Sequence, residues 1–397
     1  MAKGAYIGVS GKARKIKKIY IGVGGKARKV KKAYIGVNGK ARLFFSAADS
    51  SKLAYSHTLT NTNPEWNSNG TSVGDYCIFA GGLSAHTSSG VGLNKYSAYS
   101  GSLSQSILTF SGSHSAYGMV HAIGVNNGTY ACFPDVTTYN YMETFGTSTG
   151  VIRRVNASLT SSDVSQSHYL TKTAIIVHKG SILTYGGLSY SNGSSDYGTY
   201  HADYVYRYNE SFTESSIKVT TNHMGYCHAE RGATVGNYAL FTAGFSPPNI
   251  VITLNQSFTL GSNITFTYGL TRGGSISTYA VFGCRSNSGT EPYFTCVNSS
   301  LTATYKNTGY HDYFYSDNAP LPYAVYDDSI VDPAFSATNT TYKDTWIVCN
   351  KSLTTRTFSY GNATRGNLCG VAGSYVLRLC NSSTSTSTYN SVEVLAS

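Results

Sequence analysis

The chain has 397 residues, with 30 Lys and Arg against 19 Asp and Glu, and only 12% of its residues are charged. An ordinary soluble domain carries about 25% charge, and this one solvates itself instead with Ser, Thr, Asn and 34 Tyr. That balance suits β-structure and excludes a coiled coil, a helical bundle or a long disordered tail.

The charge is unevenly spread. Thirteen of the basic residues lie between Lys3 and Arg42, and no acidic residue precedes Asp49. The chain therefore reads as a strongly basic leader on a nearly neutral body. The leader, residues 1–45, repeats every 14 residues: Tyr6, Tyr20 and Tyr34 align, as do Arg14, Arg28 and Arg42. Each copy runs Tyr-Ile-Gly-Val, then Ser-Gly, Gly-Gly or Asn-Gly, then a Lys/Arg segment, which predicts small β-hairpins or a β-ribbon. Two Gly per copy argue against a helix. Such units bury too little to fold alone, so the leader is expected to dock on a partner or gather as an oligomer. Tyr6, Arg14, Tyr20, Arg28, Tyr34 and Arg42 are its candidate docking residues. A nucleic-acid-binding arm and an inert solvated tail are the alternatives.

The body, residues 46–397, carries two alternating patterns. One is an aromatic or apolar run after Gly or Ser, as in Gly74-Asp-Tyr-Cys-Ile-Phe79, Gly236-Asn-Tyr-Ala-Leu-Phe241 and Gly373-Ser-Tyr-Val-Leu-Arg-Leu379. Its aligned aromatic or apolar positions (76, 130, 182, 238, 279, 323, 375) are 41 to 56 residues apart, the span of a four-stranded propeller blade. The other pattern, Asn-x-Ser-Leu/Phe-Thr, recurs at Asn156, Asn209, Asn255, Asn298 and Asn350, with Ser100 in place of Asn in the first copy. The first pattern is expected to form an inner strand near the axis, and the second a turn between outer strands. The last copy, at 373–379, leaves room for one more strand. Residues 50–62 would then supply the outer strand of the last blade and seal the ring. The expected fold is all-β: a propeller of seven blades, or six if the weak second copy near 140–155 is not a module.

Gly81-Gly82 and Gly186-Gly187 after apolar strands resemble a degenerate kelch repeat, although later copies read Ala243-Gly244 and Gly283-Cys284 and only Trp66 and Trp346 are present. The tandem leader followed by such a body is similar to structural proteins of tailed phages and prophages of Firmicutes and related gut bacteria. The resemblance implies a virion fibre or adhesin, made in the bacterial cytoplasm and exposed on the particle. Residues 1–45 would bind other virion proteins, and the propeller would face a bacterial cell-surface glycan or protein.

The eight Cys form no Cys-x-x-Cys pair and read as buried free thiols. No apolar run is long enough to span a membrane. The His are scattered without a third ligand at metal spacing, Asp327-Asp328 reads as a solvated loop, and no phosphate-binding or nucleophile motif is present. The sequence thus points to no enzyme, no cofactor and no metal. Tyr190, Tyr197, Tyr200, Tyr310 and Tyr313 are the candidate receptor-contacting residues, because Tyr offers apolar area with a polar tip. A glycan-active propeller enzyme, which would need clustered carboxylates or Arg at one face, and a decoration protein without receptor role are the alternative functions.

Overall fold

The computed structural model describes residues 6–9, 12–15, 19–23, 26–30, 32–37, 40–46, 49–65, 69–80, 95–110, 124–136, 150–166, 173–186, 188–189, 199–200, 204–219, 232–243, 249–284, 293–308, 323–334, 345–359, 368–380 and 389–397. The leader strands pair within each repeat: Tyr6–Val9 with Lys12–Lys15, Ile19–Val23 with Lys26–Val30, and Lys32–Val37 with Lys40–Ser46. These are three separate two-stranded sheets, as the Gly-containing turn signals predict.

The body forms seven four-stranded antiparallel sheets. Blade 1 consists of Asn69–Val73, Tyr76–Ala80, Lys95–Tyr99 and Gln105–Thr109, from the axis outward. Blades 2 to 6 repeat this order over 125–165, 173–218, 232–265, 270–306 and 324–359. Blade 7 takes Leu368–Ala372, Tyr375–Cys380 and Tyr389–Ala396 from the C-terminal end and Ala54–Glu65 as its outer strand. The first strands of neighbouring blades abut around the ring, which marks them as innermost. The molecule is a seven-bladed β-propeller, and the second copy of the repeat is a true blade.

The Tyr-containing runs are inner strands, as expected: they form the second strand of the blade, and the strand before them is innermost. In blade 6, Tyr323-Ala-Val-Tyr326 leads into and forms that innermost strand, and Ser329–Ala334 is the second. The innermost strands are crowded: a Cβ on Gly273 would run into the Gly232 carbonyl of the neighbouring inner strand.

The buried apolar residues fall into seven clusters, and each joins two neighbouring blades. The two sequence patterns meet at these interfaces. In the turn after Val155, Asn156 Oδ1 accepts the Ser158 and Thr160 amides at 2.9 and 3.0 Å, and the Leu159 amide donates to the Asn156 carbonyl at 2.9 Å. The same bonds recur at Asn209, Asn255, Asn298 and Asn350. The residue at the fourth position takes positive φ (57° to 65° at Leu103, Leu159, Phe212, Phe258, Leu301 and Leu353), where Gly is the usual choice. Its side chain explains the exception, because it reaches the preceding blade. Phe212 of blade 3 meets the Tyr130 ring of blade 2 edge-on at 5.9 Å, with the Arg154 guanidinium 4.6 Å from its centroid.

A left-handed backbone costs about 1–2 kcal/mol outside Gly, while truncating a buried Phe costs about 3–5 kcal/mol. Phe212→Gly is therefore expected to destabilise the chain by about 2 kcal/mol despite relieving the backbone. A denaturation midpoint that rises in this variant would show that the turn is merely strained.

The seam between blades 7 and 1 is closed by side chains as well. Asn61 on the outer strand of blade 7 is buried, and its Oδ1 accepts from Tyr99 Oη at 3.1 Å and Gln105 Nε2 at 2.8 Å on blade 1. No described helix is long and apolar enough to cross a membrane.

Candidate functional site

The strand directions give the disc two unlike rims. Turns between first and second strands and between third and outer strands lie on one rim, where they are tight and closely hydrogen-bonded. The longer connections, such as 81–94, 137–149, 187–203 and 307–323, join strand ends at the other rim. The leader enters on the turn rim, because Ala54 pairs with Ala396, which pairs with Tyr375 beside the Gly373-Ser374 turn.

The entry segment is fastened there. Arg356 on blade 6 donates to the carbonyls of Ser50 at 3.1 Å and Leu53 at 2.6 Å. Ser50 Oγ lies 2.8 Å from Ser329 Oγ, and Tyr326 Oη donates to the Ser374 carbonyl at 2.9 Å. The acidic pair Asp327-Asp328, expected to be a solvated loop, is a turn with both residues at positive φ. Asp328 accepts the Ser277 amide at 2.7 Å and the Ser277 hydroxyl at 2.5 Å, which ties blade 6 to blade 5.

Of the candidate receptor residues, Tyr190, Tyr197, Tyr310 and Tyr313 lie outside the described residues. Tyr200 sits on a two-residue strand, Thr199–Tyr200, paired with Leu188–Ser189. All five belong to connections whose flanking strands end at the loop rim. Two further tyrosine pairs stand close to that rim: Tyr204 and Tyr206 with centroids 6.0 Å apart, and Tyr268 and Tyr305 edge-on at 5.2 Å. Tyr204 and Tyr305 are exposed.

The leader candidates all fall on strands. Tyr6 pairs with Lys15 and Ile7 with Arg14; Tyr20 pairs with Lys29 and Ile21 with Arg28; Tyr34 pairs with Leu43 and Ile35 with Arg42. Paired residues share a face and adjacent residues alternate, so the Tyr and Arg of each hairpin occupy opposite faces.

Sequence reasoning missed a set of buried charges in blades 5 to 7. Arg272 pairs with Asp332, which also accepts the Tyr293 hydroxyl at 2.6 Å. Arg378 Nε donates to Glu393 at 2.7 Å, with its guanidinium 4.9 Å from the Trp346 ring. All four charged residues are at most 3% exposed. Both pairs act on the buried Cys369: burial pushes its thiol well up, Arg378 and Arg272 oppose that rise, and Asp332 and Glu393 add to it. The signal was present in Tyr375-Val-Leu-Arg-Leu379, where a charge interrupts an apolar strand. Cys77, Cys132, Cys284, Cys296, Cys349, Cys369 and Cys380 are buried and unbridged, and Cys227 lies outside the described residues. Among the described residues no group of three or more His, Cys, Asp or Glu is placed to hold a metal.

No protein-family model matches the sequence, and no curated protein matches it. Solved structures do match in fold. A catalytically inactive virginiamycin B lyase from Staphylococcus aureus with quinupristin aligns with TM-score 0.52 and 9% identity, over 86% of this chain and 98% of that one. A streptogramin B lyase aligns with TM-score 0.52 and 9% identity, over 85% and 96%. These likenesses establish the shared propeller fold. They also correct the reading of the sequence as non-enzymatic. These lyases are enzymes built on this fold, so the absence of a linear motif in the sequence is no ground for excluding catalysis.

Proposed function

We propose that the chain is a virion structural and attachment protein, held on the particle by residues 1–45 and presenting its propeller to a bacterial surface glycan or protein. The observation that carries this reading is the opposition of the two rims. The basic leader joins the disc on the turn rim, at the seam where blades 6 and 7 grip residues 50–53. The long connections that hold Tyr190, Tyr197, Tyr200, Tyr310 and Tyr313 spring from the other rim. A molecule fastened at one face and carrying long Tyr-bearing connections at the other suits attachment. Many copies on one particle would then add weak contacts through multivalency.

The test compares the full chain with a variant lacking residues 1–45 as bait for particle proteins at 0.1 and 0.3 M salt. The full chain retains one particle protein saturably at both salts, and the truncated chain retains none. Equal retention by both chains, or capture of DNA alone that is lost with salt, would refute the docking role.

A second reading, a propeller enzyme, is favoured by the two buried ion pairs, Arg272 with Asp332 and Arg378 with Glu393, in adjacent blades. It predicts turnover of a surface polysaccharide, or of a cyclic peptide such as quinupristin, detected by mass spectrometry and abolished in Arg378→Met. An intact substrate after prolonged incubation with the wild-type chain would count against it.

A further inference from the structure

The three leader hairpins share an asymmetry that the docking role alone does not explain. In each, the first strand carries Tyr-Ile-Gly-Val and the second carries Lys-Ala-Arg. The cations do not share a face: Lys12 and Arg14 fall on one side of the first hairpin and Lys15 on the other. Lys26 and Arg28 oppose Lys29 in the same way. In the third hairpin Lys40 and Arg42 share one face, and Leu43 stands on the other. What these cations have in common in all three hairpins is the second strand, and so its outer edge. Among the described residues no third strand covers that edge. A two-stranded ribbon is marginal in water, whereas a third strand makes such a sheet stable.

A Lys-bearing edge rejects strands of its own kind. It accepts a strand with carboxylates at matching positions, since opposite charges across a ladder attract. A second copy of the leader cannot be that strand, because no acidic residue precedes Asp49. Among the described residues the propeller strands are already paired within their own sheets. A nucleic-acid duplex reads a cationic face, whereas in the first two hairpins the charges are split between faces.

We propose that each hairpin takes a third strand, along Lys12–Lys15, Lys26–Val30 and Lys40–Ser46, from an extended acidic segment of another protein, so that three tandem additions make the dock. Main-chain hydrogen bonds would supply the common affinity and the alternating Lys and Arg the selectivity for acid. This inference rests on the docking role proposed above and specifies how it is achieved.

The test uses the full chain and a 12-residue peptide of alternating Glu and Val as the probe. Controls are the same peptide interrupted by two prolines, and a 30-base-pair DNA duplex. Binding is followed by fluorescence anisotropy and by hydrogen exchange with mass spectrometry. The expected result is saturable binding of the alternating peptide with slowed amide exchange confined to 12–15, 26–30 and 40–46. Each of Arg14→Glu, Arg28→Glu and Arg42→Glu should weaken it about threefold, and the triple variant more than tenfold. Binding without slowed exchange overturns the proposal, as does equal binding of the proline-interrupted peptide, tighter binding of DNA, or no binding. If the full chain still retains its particle protein while these amides exchange as in the free chain, strand addition fails and docking stands. If no particle protein is retained, docking itself fails.

Discussion

Asp332→Ala is expected to lower the stability of the propeller by about 3–5 kcal/mol, the usual consequence of removing one member of a buried ion pair. Asp332 is fully buried and Arg272 nearly so. The substitution takes away the carboxylate that serves both the Arg272 guanidinium and the Tyr293 hydroxyl. Arg272 lies on the innermost strand of blade 5 and Asp332 on the second strand of blade 6, so the loss falls on the interface between blades. The double variant Arg272→Met with Asp332→Leu should recover most of the loss, because an apolar pair of similar volume carries no desolvation cost. Urea midpoints of the wild type, the single variant and the double variant measure this. A single variant within 1 kcal/mol of wild type would mean that water already reaches the pair.

Gly273→Ala is the second substitution with a large expected effect, about 3 kcal/mol or more, at the upper end of what overpacking costs. The contact there is backbone on backbone, between the inner strands of blades 5 and 4, so no side chain can swing away. A methyl group must push the two strands apart at the narrowest part of the ring. Gly128, whose added Cβ would meet nothing within 4 Å, is the control for a merely unusual backbone, since its φ is 95°. Gly128→Ala should cost about 1–2 kcal/mol. If both substitutions cost the same, crowding at the axis is not what selects Gly273.

Much of the fold was legible because propellers repeat. The Asn-x-Ser-Leu/Phe-Thr units mark a turn whose hydrogen bonds are made within five residues, so local chemistry alone locates them. Closure of blade 7 by residues 50–62, observed as Ala54–Glu65, followed from the strand that the C-terminal copy lacked. The innermost strands were not told apart from their neighbours, because outside blade 6 neither repeat pattern marks them. Val125–Asn126 and Ala324–Tyr326 carry no periodicity of their own, and their position is set by packing at the axis. The buried charges were missed because their partners come from other strands: Arg378 and Glu393 are paired across adjacent strands of blade 7, and Arg272 meets Asp332 only when blades 5 and 6 pack together. In the leader, the turn signals pointed to hairpins, but only the register places the Tyr and Arg positions on opposite faces.

Particle composition tests the central claim most directly. Particles released from bacteria that encode the chain would be banded on a density gradient, washed at 0.3 M salt and analysed by mass spectrometry and electron cryomicroscopy. The account predicts that the full chain co-purifies at a fixed stoichiometry and that disc-shaped densities project from the particle with the turn rim inward. Deletion of residues 1–45 should remove both. A chain found only in the soluble fraction, with particles complete without it, would contradict the attachment role.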